Sequence, residues 1–89
     1  MDMKIILLPR AEKELRKLPK FDQLAIAQKI RSLPNPSVSG EEKLSGFTNV
    51  YPVRVGNYRI VYRRTNELIS IVLIRHRRDV YRMIKELLS

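Results

Sequence analysis

The side chains that could do chemistry in this sequence are arginine, lysine, tyrosine and one histidine. The chain has no cysteine and a single histidine, His76, so a thiol nucleophile and a protein-only zinc site are both disfavoured. No Ser/His/Asp arrangement surrounds His76, and the three glycines are too scattered to form a phosphate-binding loop. The acidic residues are spread over the chain rather than paired. We therefore expect any enzymatic chemistry to rest on arginine, lysine, tyrosine or His76, with no metal and no cofactor.

These residue types indicate one reaction class better than others. RNA carries its own nucleophile, the 2′-hydroxyl, beside each phosphate. A protein has to align that hydroxyl, stabilise the charge that develops on the phosphorus oxygens and move two protons. Arginines can stabilise the charge, and tyrosine or histidine can move a proton. Because DNA lacks the 2′-hydroxyl, the set fits a metal-independent ribonuclease better than a DNA nuclease.

The charge distribution indicates a polyanion-binding surface. The net charge is +9, and the last 39 residues hold nine basic residues against three acidic ones, an excess of six. Eight of those nine are arginine, whose planar fork of donors suits phosphate better than the point charge of lysine. Charge alone leaves RNA, DNA and an acidic protein open as partners.

The first half of the chain predicts a strand and two helices. An apolar run over residues 3–8 reads as a short strand, and Pro9 is well placed in the first turn of a helix. Apolar residues at helical spacing predict helices over 9–18 and 20–33, separated by Pro19. The run from Pro34 to Gly40 predicts a loop. Two short antiparallel helices, an αα-hairpin, are thus expected after the first strand.

The second half predicts a three-strand meander and a last helix. Alternating residues from Val50 to Val55 and from Tyr58 to Arg63 flank Gly56-Asn57, a pair suited to a two-residue hairpin turn. Residues 68–74 are almost wholly apolar, as in a central strand covered on both faces. Asp79 can cap a final helix whose apolar stripe holds Val80, Ile84, Leu87 and Leu88.

The expected architecture is a single α+β domain over residues 1–89, in the order β-α-α-β-β-β-α. It contains a four-stranded, mostly antiparallel sheet, an N-terminal αα-hairpin and a C-terminal helix. The apolar run at 5–8 is too short for a signal segment or a membrane span, so we expect a cytoplasmic protein that does not engage a membrane.

Adjoining strands could bring the basic residues to one rim of the sheet. The hairpin carries Arg54 and Arg59, and the connection from the central strand to the last helix carries the cluster at 75–78. Tyr81 follows one helical turn beyond Arg77. From spacing alone, Tyr81 is as well explained by packing the helix against the sheet as by a catalytic role.

At these residues the sequence resembles the RelE/ParE superfamily of bacterial and archaeal toxins. The likeness rests on Gly-Asn-Tyr-Arg-Ile-Val-Tyr at 56–62 and His-Arg-Arg-Asp-Val-Tyr-Arg at 76–82. Lys-Leu-Ser-Gly at 43–46 and Leu-Pro at 18–19 also agree, so the likeness covers essentially the whole chain. The resemblance implies a toxin of the RelE branch, which enters the ribosomal A site, cleaves mRNA there without metal and is inhibited by a cognate antitoxin. The implied partners are that antitoxin, the ribosome and mRNA.

The resemblance also implies roles for individual residues. Arg59 matches an arginine that contacts the scissile phosphate, and Arg77 matches one that stabilises the transition state. Tyr81 matches a tyrosine that stacks on a base or transfers a proton. Arg54 stands in the place of a strand lysine that holds the RNA, and His76 stands where a basic residue is common. Further RNA contacts are expected from the remaining basic residues of the motifs and the meander, Lys43, Arg63, Arg75, Arg78 and Arg82.

Two positions depart from the pattern of the RelE branch. Pro52 replaces a second lysine, which leaves the general base unassigned. Arg75 replaces a small residue before His-Arg-Arg. His76 therefore becomes a candidate acid or base, with an exposed bystander as the competing interpretation.

Two other functions fit the same sequence. In the ParE-like alternative the protein poisons DNA gyrase by binding and cuts nothing itself. In the other alternative it is a non-catalytic RNA-binding module whose arginines only contact phosphates. Replacing any one arginine would then weaken RNA binding modestly and reduce the salt dependence of that binding.

Overall fold

The computed structural model describes residues 3–35 and 49–88 of the chain, in three helices and four strands. In chain order these are β1 Lys4–Leu7, α1 Pro9–Arg16, α2 Lys20–Ser32, β2 Val50–Val55, β3 Tyr58–Arg64, β4 Leu68–His76 and α3 Val80–Leu88. The predicted order of elements and the α+β class are confirmed. In the described ranges, no helix is long and apolar enough to cross a membrane.

The strands form one mixed sheet in the order β1-β4-β3-β2. The two hairpin pairs are antiparallel, whereas β1 runs parallel to β4, with Lys4 opposite Leu68 and Leu7 opposite Ile71. Strand β4 is therefore interior, and both of its faces are covered. This position explains its nearly continuous apolar sequence, since residues on alternate sides must all be buried.

Each face of the sheet has its own apolar core. On one face, called here the helix-pair face, Ala11 of α1 and Ile26 of α2 are fully buried with Ile60 and Ile71 of the sheet. On the other, called the α3 face, Val80 and Ile84 of α3 pack against buried residues of the sheet, Val50, Val61, Val72 and Leu73. Val80 and Ile84 thus confirm the predicted stripe of the last helix. The side chains of Leu87 and Leu88 lie outside the described part of the chain.

A β-bulge in β4 changes which side chains share a face. Val61 lies opposite Leu73 and Tyr62 lies opposite Ile71, so Val72 is an extra residue between the two pairs. Val72 and Leu73 both belong to the α3 core, while Ile71 and Ile74 belong to the other core. Because side chains alternate along a strand, one extra residue moves every later side chain to the opposite face.

The helix ends are held by side chains from other elements. The Gln23 amide of α2 donates to the carbonyls of Leu18 at 2.8 Å and Arg16 at 3.2 Å, which ties the end of α1 to α2. The Arg64 guanidinium donates to the carbonyls of Leu33 and Pro34 beyond α2, both at 3.4 Å. A cation there also complements the helix dipole. These hydrogen bonds join the two helices of the predicted αα-hairpin to each other and join the end of α2 to β3.

The β2–β3 turn has the two-residue length that the sequence predicts. Gly56 has φ of +58°, whereas Asn57 is not in the left-handed region. A positive φ at the first turn position alone is the pattern of a type II′ turn. Glycine is required there by its backbone conformation rather than by space, because a Cβ at Gly56 would meet nothing within 4 Å.

Candidate functional site

Three arginines lie side by side across the sheet. Arg54 of β2 is directly opposite Arg59 of β3, and Arg59 is directly opposite Arg75 of β4. Side chains of directly opposed residues project from the same face, with Cβ atoms about 4.5–5.5 Å apart. We call these three residues the arginine row. It lies on the α3 face, next to the buried Val61 and Leu73.

Arg59 at the centre of the row is held by the ring of Tyr81. The guanidinium carbon lies 5.8 Å from the ring centroid, within the range of a cation–π contact. The Arg59 Nε atom is buried and has no hydrogen-bond partner among the described residues. A buried donor without an acceptor is costly, so the conformation of Arg59 carries a polar atom that its neighbours among the described residues do not satisfy.

Tyr81 reaches Arg59 because the first turn of α3 is anchored on either side of it. Val80 and Ile84 are buried in the α3 core, whereas Tyr81 is 49% exposed. Its ring lies against the Arg59 guanidinium, and about half of the residue is open to solvent. The structure thus gives Tyr81 a place at the arginine row rather than a place inside the core.

The basic connection after β4 is tied to the same end of the sheet. The Arg77 backbone N–H donates to the Asn57 carbonyl at 2.9 Å, joining this connection to the β2–β3 turn. The Asp79 N–H donates to the His76 carbonyl at 2.9 Å, which closes the turn into α3. The Arg77 and Arg78 side chains are exposed. The Arg77 and Arg78 backbone N–H groups are both hydrogen-bonded, while their side chains extend into solvent.

His76 lies on the opposite face from the arginine row. It is directly opposite Tyr58, and the two rings meet edge to face with centroids 5.9 Å apart. Its Nδ1 accepts the Arg78 backbone N–H at 3.2 Å. This hydrogen bond assigns the neutral ring to the tautomer with its N–H at Nε2. The structure therefore does not bring His76 together with Arg59 and Tyr81.

The remaining predicted RNA-binding residues are dispersed. Arg63 is exposed, but it lies four residues along β3 from Arg59, about 13 Å at the usual strand rise. Arg82 pairs at 3.5 Å with Asp79, the residue that precedes α3 and is its predicted cap. Arg54 is exposed, and its Nε donates weakly to the Gly56 carbonyl at 3.5 Å. Lys43 lies outside the described residues.

One residue of this region was missed by sequence reasoning. Glu14 of α1 accepts the Ile74 backbone N–H at 3.0 Å and the Arg75 guanidinium at 3.1 Å. Its partners lie 60 and 61 positions away in the chain. In the sequence, Glu14 looks like an ordinary surface residue among the charges of α1, so no local signal could have singled it out.

A cleft borders each end of the arginine row. One runs along α1 and is lined by Arg75, and the other lies between α2 and β2 and is lined by Arg54. Neither of these two clefts is lined by Arg59, Arg77 or Tyr81. Within residues 3–35 and 49–88, no three His, Cys, Asp or Glu side chains come together as a metal site. The side chains at the row are three guanidinium groups and, against Arg59, the phenol of Tyr81.

Comparison with known proteins identifies the family. A family profile described as the ParE toxin of the type II toxin–antitoxin system, parDE, matches residues 5–81. The chain belongs to this family. It is a toxin of a type II toxin–antitoxin system, and the resemblance to the RelE/ParE superfamily is confirmed. No curated protein matches the chain.

Solved structures of RelE-type toxins share the fold of this toxin. The isolated RelE toxin from E. coli is 26% identical, with a TM-score of 0.70 over 97% of this chain and 99% of that one. The RelBE2 toxin–antitoxin complex from Mycobacterium tuberculosis matches at 21% identity and TM-score 0.74, covering 86% of this chain and 100% of that one. The RelB–RelE complex from Methanococcus jannaschii matches at 24% identity and TM-score 0.71, covering 88% of this chain and 96% of that one.

Proposed function

We propose that this toxin is a ribosome-dependent mRNA endonuclease that acts without a metal ion. The observation that carries the proposal is the pair formed by Arg59 and Tyr81, in which a guanidinium lies against the ring of a half-exposed tyrosine. A phosphate bound by the Arg59 guanidinium would place the neighbouring 2′-hydroxyl beside Tyr81. This pair supplies both a charge stabiliser and a proton-transfer group at one point.

The proposed reaction uses the RNA's own nucleophile. The 2′-oxygen attacks the adjacent phosphorus, its proton leaves, and the 5′-oxygen departs with a proton, giving a 2′,3′-cyclic phosphate. Arg59 and Arg77 bind the phosphorus oxygens, on which negative charge grows in the transition state. Tyr81 exchanges a proton with a reacting oxygen, because it is the titratable side chain that contacts Arg59. His76 is assigned no step, since it lies on the helix-pair face.

The exposure of Tyr81 supports dependence on the ribosome. Tyr81 is 49% exposed, and the clefts lined by Arg54 and Arg75 do not include Arg59 or Tyr81, so neither cleft would hold an RNA strand over that pair. Catalysis of this kind requires the reacting atoms to be held in line. We propose that the ribosomal A site presents the mRNA to the arginine row and supplies the alignment that this toxin lacks.

We also propose that a cognate antitoxin inhibits this toxin. Solved neighbours include toxin–antitoxin complexes from M. tuberculosis and M. jannaschii. The net charge of +9 gives this chain a surface that an acidic, amphipathic segment can cover while folding on it. An antitoxin with no measurable affinity for the purified toxin would contradict this part of the proposal.

The direct test incubates the purified toxin with mRNA, alone and on ribosomes programmed with a defined A-site codon, in the Mg²⁺ that intact ribosomes need. We expect cleavage on the ribosome only, and Arg77→Ala should lower it about 100-fold or more. Cleavage of free mRNA at the same rate would refute the ribosome dependence. Sulfur in place of a non-bridging oxygen of the scissile phosphate tests for a metal, because Mn²⁺ binds sulfur better than Mg²⁺ does; cleavage lost in Mg²⁺ and restored by Mn²⁺ would refute the metal-independent reaction.

Gyrase poisoning is the second candidate function, because the matching family profile is that of ParE toxins. In that case the arginine row would be incidental to toxicity. A toxic, folded protein that leaves ribosome-bound mRNA intact and accumulates broken DNA with purified gyrase would establish this alternative. Arg77→Ala would then keep its toxicity in cells.

A further inference from the structure

The Arg75 end of the arginine row is held by a carboxylate from another element. One oxygen of Glu14 accepts the Arg75 guanidinium at 3.1 Å, and the other accepts the Ile74 backbone N–H at 3.0 Å. The Glu14 side chain is only 11% exposed and the Arg75 side chain 31%. An ion pair that is largely screened from water, and fixed by a backbone donor as well, holds its geometry better than a surface pair.

Glu14 reaches this place because β1 is shorter than β4. Strand β1 ends at Leu7, opposite Ile71, and the Leu8 N–H makes the last bond to the Ile71 carbonyl. Beyond that point the edge of β4 is left to α1, which packs alongside it. One oxygen of Glu14 accepts the Ile74 N–H, which β1 does not extend far enough to pair, and the other accepts the guanidinium of the next residue, Arg75.

The arginine row needs such a partner because like charges lie directly opposite one another. Arg59 has Arg54 on one side and Arg75 on the other, and opposed like charges repel. Arg54 is exposed and screened by solvent, whereas Arg75 is partly buried. Arg75 also borders a cleft lined by further cations of α1, Arg10, Lys13, Arg16 and Lys17. Among the described residues, Glu14 is the acidic side chain that contacts the row.

We propose that Glu14 is a positioning residue for Arg59. By neutralising Arg75 and holding it toward α1, Glu14 leaves Arg59 as the cation on the α3 face that meets the scissile phosphate. Arg75 in this chain is accordingly a restrained neighbour rather than a direct RNA ligand. The inference rests on the proposed nuclease function. It gives a role to Arg75, the residue that departs from the pattern of the RelE branch.

Glu14→Gln is the informative substitution. The glutamine oxygen can still accept the Ile74 N–H, so the contact that covers β4 is kept while the negative charge is lost. Arg75 is then released and competes with Arg59 for the phosphate. We expect ribosome-bound mRNA to be cut with kcat lowered about tenfold or more and with KM unchanged or lower, since the released cation adds ground-state binding.

Binding to a short single-stranded RNA provides a readout that does not need cleavage. One additional phosphate contact steepens the plot of log affinity against log salt by about 0.7. We expect that increase for Glu14→Gln. A role for Glu14 in stability alone would lower the melting temperature while leaving kcat, KM and the salt dependence as in the wild type.

Glu12→Gln is the matched control. Glu12 is on the same helix, pairs with Arg16 on its exposed surface and changes the net charge equally when replaced. It should cut mRNA and bind RNA as the wild type does. The double variant Glu14→Gln/Arg75→Gln should recover most of the lost kcat, because no released cation then competes with Arg59.

The failures of the two proposals are distinguishable. A wild-type protein that binds ribosomes and does not cut mRNA overturns the nuclease function. A wild-type protein that cuts, together with Glu14→Gln that matches Glu12→Gln in kcat, KM and salt dependence, overturns the role of Glu14 alone. A double variant no better than Glu14→Gln overturns it as well.

Discussion

Replacing Tyr81 by phenylalanine separates the two functions of its side chain. Phenylalanine keeps the ring over the Arg59 guanidinium but removes the hydroxyl. At a half-exposed site a cation–π contact contributes about 0.5–1 kcal/mol, and Tyr81→Phe should retain it. We therefore expect the free energy of unfolding to change by less than about 0.5 kcal/mol, as for most surface substitutions.

The expected effect on cleavage is much larger than the effect on stability. A positioned proton donor or acceptor contributes about 100- to 10,000-fold to a rate. Tyr81→Phe should therefore lower kcat on programmed ribosomes by at least about 100-fold, with little change in KM. The assay is single-turnover cleavage of A-site mRNA, together with urea unfolding of the same preparation.

Tyr81→Ala shows what the ring contributes. Tyr81 is 49% exposed, so about half of the 150–250 Å² that an aromatic side chain can bury is lost, about 100 Å². At 25 cal/mol per Å² this removes about 2.5 kcal/mol as an upper estimate. Tyr81→Ala should thus unfold at lower urea, and it should bind RNA less tightly because Arg59 loses its support.

Tyr58→Phe is the control, since Tyr58 lies on the helix-pair face against His76. It should cleave as the wild type does. Tyr81→Phe that cuts mRNA within about threefold of the wild type would refute the proton-transfer role, a role worth about 100-fold or more. The ring would then serve only to hold Arg59.

Three further predictions follow from single residues. Arg77→Ala should leave the free energy of unfolding within about 0.5 kcal/mol, because its side chain is exposed, while cleavage falls about 100-fold or more; a variant as active as the wild type would contradict this. Gly56→Ala should cost about 1–2 kcal/mol in urea unfolding through its φ of +58° alone, and an unchanged midpoint would contradict the turn assignment. Ile71→Ala, at a fully buried site, should cost about 2–5 kcal/mol, and a loss below 1 kcal/mol would show that the core collapses around the cavity.

The order of the elements could be predicted because its signals are local. Pro9 and Pro19 mark where helices begin, and Gly56-Asn57 marks a two-residue turn. That turn also fixes the register of the hairpin, so the pairing of Arg54 with Arg59 follows from the sequence once the turn is identified. The apolar run of β4 likewise predicts an interior strand, as the sheet order confirms.

The face on which the later residues of β4 lie could not be predicted. A regular strand that places Ile69 and Ile71 on the helix-pair face would place Arg75 there too, away from Arg59. The bulge at Val72 reverses this, so that Arg75 joins the row and His76 faces the other way. A bulge depends on how two strands and both cores fit together. The alternation of apolar and polar residues within one strand therefore does not predict where a bulge occurs.

The amino-acid sequence by itself determined the elements, the hairpin register and the supply of arginine and tyrosine, because each of these depends on residues close together in the chain. The tertiary structure alone decided that Tyr81 contacts Arg59 and that Glu14 holds Arg75, since the second pair is separated by 61 positions. Such contacts arise from the parallel pairing of β1 with β4 and from the packing of α3 across the opposite face. Long-range packing thus selects which of the many arginines share a site.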